Sequence, residues 1–394
     1  MELHTANSGM VRRFNEAAVL EVLRKHRLLT KTDIVKLTGL TYPTVSKSIS
    51  SLHEAMLIQE SGEGASRGGR PPLLYSFNPR AGVIVGVQIE KKRLSLGAFD
   101  LDLRLIDDLQ FQVSSLKPAD IIILIKKGVQ EIARNQAEGV LYGVGIGSPG
   151  NIDPVDNTVV SPYQLRWRTP VDLIHPLEEE LGVPVCLGND INLAALGELV
   201  AFHPHNLTQP MVFVSVAQGV GAGLIINDTV YCGSKGGAGE IGHMSIDVNG
   251  KLCECGNRGC LEGSISSIVI GEQLRVDSSD AYIRLNKRIQ DGCEEAHVIY
   301  DDLVKHLATA LTNVINLFSP HSIVLGGEIT ELNGPFLDDL RKWLAKSCGN
   351  VPFNVENLQF SRLGSKASLY GAAALVEQQI FPKFRVPQEQ VTLA

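Results

Sequence analysis

His243, Cys253, Cys255 and Cys260 stand at a spacing that points to a metal. Three thiols and one imidazole make a tetrahedral donor set suited to zinc, and Gly256 and Gly259 let the short loop turn tightly around it. The alternative is a set of unrelated buried cysteines. Clustering argues against it, because three of the seven cysteines fall within residues 253–260, beside glycines. A structural site of this kind fills every coordination position with protein, so a metal-activated water is not expected. Its expected work is to pin a loop.

The elements around that loop read as two kinds of architecture. Residues 15–26 carry Ala18, Val19, Leu20, Val22 and Leu23 at helical spacing, with Arg24, Lys25 and Arg27 near the end, where the helix dipole favours cations. Thr30 or Thr32 then caps a second short helix that Gly39 stops. Leu40-Thr41-Tyr42-Pro43 is a turn, and Pro43 opens a third helix that runs to about Ala55 with Val45, Ile49 and Leu52 on one face. A short strand from Leu57 to Glu60, a loop from Ser61 to Pro72 and a strand from Leu73 to Phe77 follow. This is the pattern of a winged helix-turn-helix. Tyr42, Thr44, Ser46 and Lys47 would face the major groove of double-stranded DNA, Arg67 and Arg70 the minor groove, and Arg12 and Arg13 the phosphates. The competing reading is a helical dimerisation unit with a solvated basic face.

Past Pro79 strands and helices alternate. Expected strands cover Val83–Val87, Leu94–Phe99, Tyr142–Ile146, Val183–Leu187, Val212–Val216 and Ile323–Leu325. Expected helices cover Ile121–Ala133, Asn192–Phe202, Val304–Phe318 and Leu369–Ile380. Gln218–Gly223 reads as a glycine-rich turn before a strand through Leu224, Ile225 and Ile226. Two α/β lobes with a site between them are the economical reading, since such folds place ligands at strand C-termini.

Length and composition agree. A chain of 394 residues with 44% hydrophobic and 20% charged residues predicts two or three domains of an ordinary soluble protein. No run is apolar enough to span a bilayer, and Arg12, Arg13, Asn15 and Glu16 interrupt any signal-peptide core. The cysteines fit a reducing cytoplasm better than a disulfide framework. The net charge of −7 is uneven: the first 80 residues hold eleven Lys/Arg against seven Asp/Glu, and the remainder holds 25 against 36. Only the basic head is expected to approach a polyanion.

Three motifs carry a family resemblance over nearly the whole chain: Asn189-Asp190-x-Asn192, Ala238-Gly239-Glu240-Ile241-Gly242-His243, and Cys253-x-Cys255-Gly256-x-x-Gly259-Cys260-Leu261-Glu262. They resemble the ROK family of sugar kinases and repressors, and the N-terminal head resembles its Mlc/NagC/XylR repressor branch. The resemblance implies an actin-like, hexokinase-type two-lobe body, a structural zinc, and a homodimer or homotetramer. It divides the chain into a head at 1–80, a small lobe at 81–190 with about 377–394, and a large lobe at 191–376. It also implies that Asn189, Asp190, Glu240, His243 and Glu262 hold a sugar. Their types suit hydroxyls, which need acceptors and donors at fixed angles. His243 can ligate through one nitrogen and meet a hydroxyl through the other. Solvated surface remains the alternative for Glu240 and Glu262, and a helix N-cap for Asp190.

The chain departs from the kinases where they hold phosphate. Their Asp-x-Gly-Gly-Thr-Lys loop is matched by Gln88-Ile89-Glu90-Lys91-Lys92-Arg93, and their Gly-Thr-Gly by Ala217-Gln218-Gly219. Side chains at 90 and 91 obstruct backbone approach to a phosphate, and Gln88 brings no charge for magnesium. Phosphoryl transfer rests on positioning and charge, so no kinase activity and no catalytic residue are expected. The expectation is a repressor of sugar uptake or metabolism genes, controlled by a sugar or sugar phosphate. A sugar kinase fused to a DNA-binding domain and a repressor controlled by a sugar-transport protein are the alternatives.

Overall fold

The computed structural model describes residues 8–64, 71–135, 140–160, 162–202, 209–348 and 351–381. Arg67 and Arg70 lie outside the described residues.

The head holds α1 (Ser8–His26), β1 (Leu29–Thr30), α2 (Lys31–Thr38), α3 (Tyr42–Glu54), β2 (Ile58–Glu63) and β3 (Leu73–Phe77). Thr30 caps α2 in a reciprocal box: its hydroxyl accepts from the Asp33 N–H at 3.2 Å and its own N–H donates to the Asp33 carboxylate at 3.1 Å. Thr41 caps α3, with Pro43 in the first turn. Val19, Leu23, Ile34, Val45, Ile49, Leu52 and Tyr75 close one core beneath the antiparallel sheet β1-β3-β2. The first helix begins at Ser8 rather than 15, so Arg12 and Arg13 sit on it. The second strand runs on to Glu63, past the expected Glu60.

The body has two sheets of one topology. The first lobe holds β4 (Gly82–Ile89), β5 (Arg93–Asp100), β6 (Leu105–Gln112), α4 (Pro118–Asn135), β7 (Val140–Ser148), β8 (Asn151–Ile152), β9 (Val159–Val160), α5 (Ile174–Leu181) and β10 (Val185–Asn189). Its sheet order is β10-β7-β4-β5-β6. The chain then runs through α6 (Asp190–Phe202), β11 (Met211–Val216), β12 (Val220–Ile226), β13 (Thr229–Val230), α7 (Glu262–Ile265), α8 (Ser267–Leu274), α9 (Ala281–Gln290), α10 (Glu294–Phe318), β14 (Ser322–Gly326), α11 (Asn333–Ser347), β15 (Leu358–Phe360) and α12 (Ala367–Ile380). The second sheet, β15-β14-β11-β12-β13, repeats the order: an antiparallel meander with two parallel strands added beside its first member.

Two differences from the sequence pattern have physical reasons. The region 218–223 is not all turn: β12 starts at Val220 and includes Gly221 and Gly223, because α6 lies against them. A Cβ at Gly221 would come 2.7 Å from the Ile191 side chain, and one at Gly223 2.7 Å from that of Ala195. The unexpected strand β6 alternates half-buried and exposed residues, and its Asp107 and Asp108 are the charges that suit a sheet edge.

Helices α6 and α12 lie between the sheets. The first packs on β11 and β12, the second on β4 and β7, and the two pack on each other. A Cβ at Gly371 would overlap the Leu193 carbonyl, and one at Gly197 the Ala367 carbonyl, so the helix backbones touch directly. Helix α12 rejoins the first sheet from Ala367 onward, ten residues before the point at which the chain was expected to return.

Candidate functional site

Asn189 ends β10, the strand paired in parallel with β7, and this puts it at the strand C-termini of the first sheet. Its Oδ1 accepts from the N–H groups of Ile191 and Asn192, both at 3.0 Å, so Asn189 caps α6, the task that Asp190 was a candidate for. Its Nδ2 donates to the Gly150 carbonyl at 3.1 Å. Asp190 follows as the first helical residue and accepts from the Ile191 N–H at 2.9 Å. Burial pushes the Asp190 carboxyl from an ordinary 3.8 up to about 7, and the Glu90 carboxylate adds to the effect. Asn192, two residues on, is buried with an Oδ1 that finds no partner among the described residues.

The raised Asp190 pKa has a signed consequence. Between about 4 and 7 the folded chain holds a proton that the unfolded chain releases, so this group's contribution falls as pH rises through that window. Asp190→Asn is expected to be more stable than the wild type at pH 8 and to lose that advantage by pH 4. Thermal melts at pH 4, 6 and 8 check this; an advantage independent of pH would refute it.

The second-lobe residues reach the same place through glycine contacts. The Ala222 N–H donates to the Gly239 carbonyl at 2.7 Å, which fixes the chain just before Glu240 to β12, the strand that α6 covers. Glu240 is exposed, and the next turn carries His243. Glu262 opens α7, and its Oε2 accepts from the Val220 N–H at 2.8 Å. The contacts thus join α6, β12, the 239–243 turn and α7 around one locus, and bring together the elements bearing all five expected sugar residues.

The four expected metal ligands converge. Their donor atoms all lie within 4.8 Å of one another. Cys255 Sγ is 3.6 Å from Cys260 Sγ, and Cys253 Sγ is 3.7 Å from His243 Nδ1. A tetrahedral zinc with bonds of about 2.3 Å to sulfur separates its ligands by about 3.7 Å, so the set fits that ion. The imidazole turns Nδ1 to the Cys253 thiol. The Cys255 thiol is held below its ordinary pKa, chiefly by the backbone N–H of Asn257, which favours thiolate there. Short bridges, Ser245 to Cys260 and Leu252 to Arg258, tie the loop across its base.

At the β4–β5 turn, where a phosphate loop would need open backbone, the chain closes on itself. The Glu90 N–H donates to the Arg93 carbonyl at 2.8 Å, and Arg93 Nε donates to Glu90 Oε2 at 2.6 Å. Sequence reading named these residues for what they lack; that Glu90 also acts on Asp190 had no signal in the sequence.

In the head, Tyr42 and Lys47 on α3 are exposed. Thr44 is half-buried, its hydroxyl 2.9 Å from that of Thr41, and Ser46 accepts from Lys31 Nζ at 3.2 Å. Arg13 is exposed, while Arg12 is engaged within the head, with Nε to Glu16 at 2.8 Å and Nη2 to Ser51 at 2.7 Å. Among the described residues no helix is long and apolar enough to cross a membrane.

Comparison with known proteins places this geometry. The ROK family profile matches residues 84–379. The xylose repressor of Bacillus spizizenii (strain ATCC 23059 / NRRL B-14472 / W23) is 31% identical over 384 residues, covering 94% of this chain and 97% of that protein. The DNA-binding transcriptional dual regulator NagC of Escherichia coli (strain K12) is 28% identical over 341 residues, covering 82% and 83%. A crystal structure of a ROK family transcriptional regulator, homologue of the E. coli Mlc protein, superposes with a TM-score of 0.80 at 24% identity over 94% of this chain and 97% of that one. This chain is a member of the ROK family, and its two sheets of one topology form that family's actin-like, hexokinase-type body.

Proposed function

We propose that the protein is a transcriptional repressor that binds operator DNA through a winged helix-turn-helix and lets go when a sugar fills the locus around Asn189, Asp190, Glu240, His243 and Glu262. The observation that carries this is the fusion itself: a three-helix, three-stranded head and a body that joins the elements bearing the five sugar-type residues, matched along most of its length by a xylose repressor and by the transcriptional dual regulator NagC. Xylose is the first effector to test, since a relative that the chain covers almost end to end is named for it. Zinc would be held by His243, Cys253, Cys255 and Cys260, and would fix the turns that present Glu240 and Glu262. No phosphoryl transfer is assigned, because the Glu90–Arg93 pair occupies the turn that a nucleotide phosphate would have to approach. Dimers or tetramers would set two heads at the spacing of an operator.

Gel shift with the chain's own promoter DNA, with and without D-xylose, tests the reading. Release by the sugar is expected. Tight binding that no sugar alters, or turnover of ATP with a hexose, would overturn it. Lys47→Ala is expected to weaken binding to every sequence about equally and to flatten the salt dependence. Changes at Thr44 are expected to alter which sequence is preferred. Unchanged shifts in both variants would remove α3 from the interface.

A further inference from the structure

The head does not hang from the body by a bare linker. Arg24, near the end of α1, reaches out of the head and forms an ion pair with Glu377 on α12, whose side chain is only 8% exposed. The same guanidinium donates to the Leu101 carbonyl at 3.2 Å and lies over the rings of Phe77 and Phe381, at 5.2 and 5.9 Å. Arg27, one turn on, bonds Asp102 at 2.6 Å. The apolar core is continuous across this junction, since Leu20 and Leu23 of the head belong to one buried cluster with Phe99, Leu369 and Ala373 of the body.

Glu377 stands on a helix packed closely between α6 and the first sheet. Through Gly371 and Gly197, α12 touches α6 backbone to backbone, and α6 begins at Asn189 and Asp190. Side-chain contacts can absorb a displacement by changing rotamer. Backbone contacts of this kind cannot, so a shift at the start of α6 would be carried to α12. Glu377, six residues past Gly371 on α12, carries the ion pair to the head.

We infer that the Arg24–Glu377 pair is a latch through which occupancy of the sugar site sets the orientation of the DNA-binding head. The inference rests on the repressor reading. Arg24 and Glu377 touch neither sugar nor DNA; they are positioning residues. The pair is partly desolvated: loss of Arg24 leaves the nearly buried Glu377 carboxylate unpaired, while loss of Glu377 leaves Arg24 only the Asp102 carboxylate at 3.9 Å.

Head orientation can be followed without any effector. Spin labels are placed through unnatural amino acids at the exposed positions Glu54 on the head and Arg134 on the first lobe, which spares the cysteines. The full-length protein is expected to give one narrow distance distribution. Glu377→Gln and the double variant Arg24→Gln/Glu377→Gln are expected to broaden it. The body is expected to keep its melting transition, and D-xylose its calorimetric affinity. In gel shifts, the change in operator affinity that xylose produces, about 5- to 150-fold for a coupling of ordinary strength, is expected to fall towards one in both variants. Distributions as narrow as the wild type's overturn the latch whether or not xylose binds. Broadening with an undiminished xylose response overturns its role in signalling. Wild-type protein that ignores xylose counts against xylose as the effector, and the distance measurement still decides the latch.

Discussion

Cys260→Ser is expected to empty the metal site and weaken sugar binding by on the order of 100-fold, about 2.7 kcal/mol. Cys260 is the buried member of the donor set, at 2% exposure, so a shorter and harder ligand there cannot be rescued by movement of the loop. The loop has little else to hold it. Val248, Leu252, Lys251, Glu254 and Arg258 all face solvent, and between the bridges Ile246 is the apolar side chain that packs against the core. Binding energy of structural zinc, roughly 10–16 kcal/mol in isolated peptides, would then be folding energy for this segment. When it goes, His243 and Glu262 lose the fixed turns on either side. Native mass spectrometry reads the metal, and calorimetry reads the sugar. Glu254→Gln, on the same loop but outside the donor set, should change neither. A Cys260→Ser protein that keeps both metal and sugar would refute the assignment.

Gly371→Val is expected to destabilise the body by about 3 kcal/mol or more, a fall in melting temperature of roughly 10 °C. The branched side chain would have to occupy the space of the Leu193 carbonyl, and backbone on both sides leaves no rotamer that avoids it. The strain can be relieved only by parting α6 from α12. The scan should therefore broaden or split as the lobes lose their common melting. Gly263→Ala is the control, because an added Cβ there meets nothing within 4 Å. Equal melting of both variants would show that the helices have slack at this contact.

Much of the site was legible because its chemistry is local in sequence. Three cysteines in eight residues announce a donor cluster that could hold a metal, and Thr30, Gly39 and Pro43 mark helix ends by mechanisms that act within one turn. What escaped detection depends on residues far apart. Gly221 and Gly223 look like a turn until α6 is laid across them, since nothing nearby in sequence reveals why a strand would need them. Asn189 and Asp190 are both good caps, and only the direction of the strand before them decides which one serves. β6 was hidden by two aspartates that disfavour strands in general and suit this one because it is an edge. The pairing of Arg24 with Glu377, 353 positions apart, had no signal: Arg24 reads only as a cation favoured by the dipole near the end of its helix.

The direct contact of α6 with α12 has an evolutionary consequence. In the proposed site, Glu240, His243 and Glu262 project from the turns at 240–243 and 260–262, whereas the contact between α6 and α12 is made by main chain at Gly197 and Gly371. Recognition and transmission are therefore separable traits. A lineage can exchange one inducer for another by altering a few rim residues and still inherit the lever intact, and a designer seeking a biosensor for a new carbohydrate should randomise those turns and leave Gly197 and Gly371 untouched.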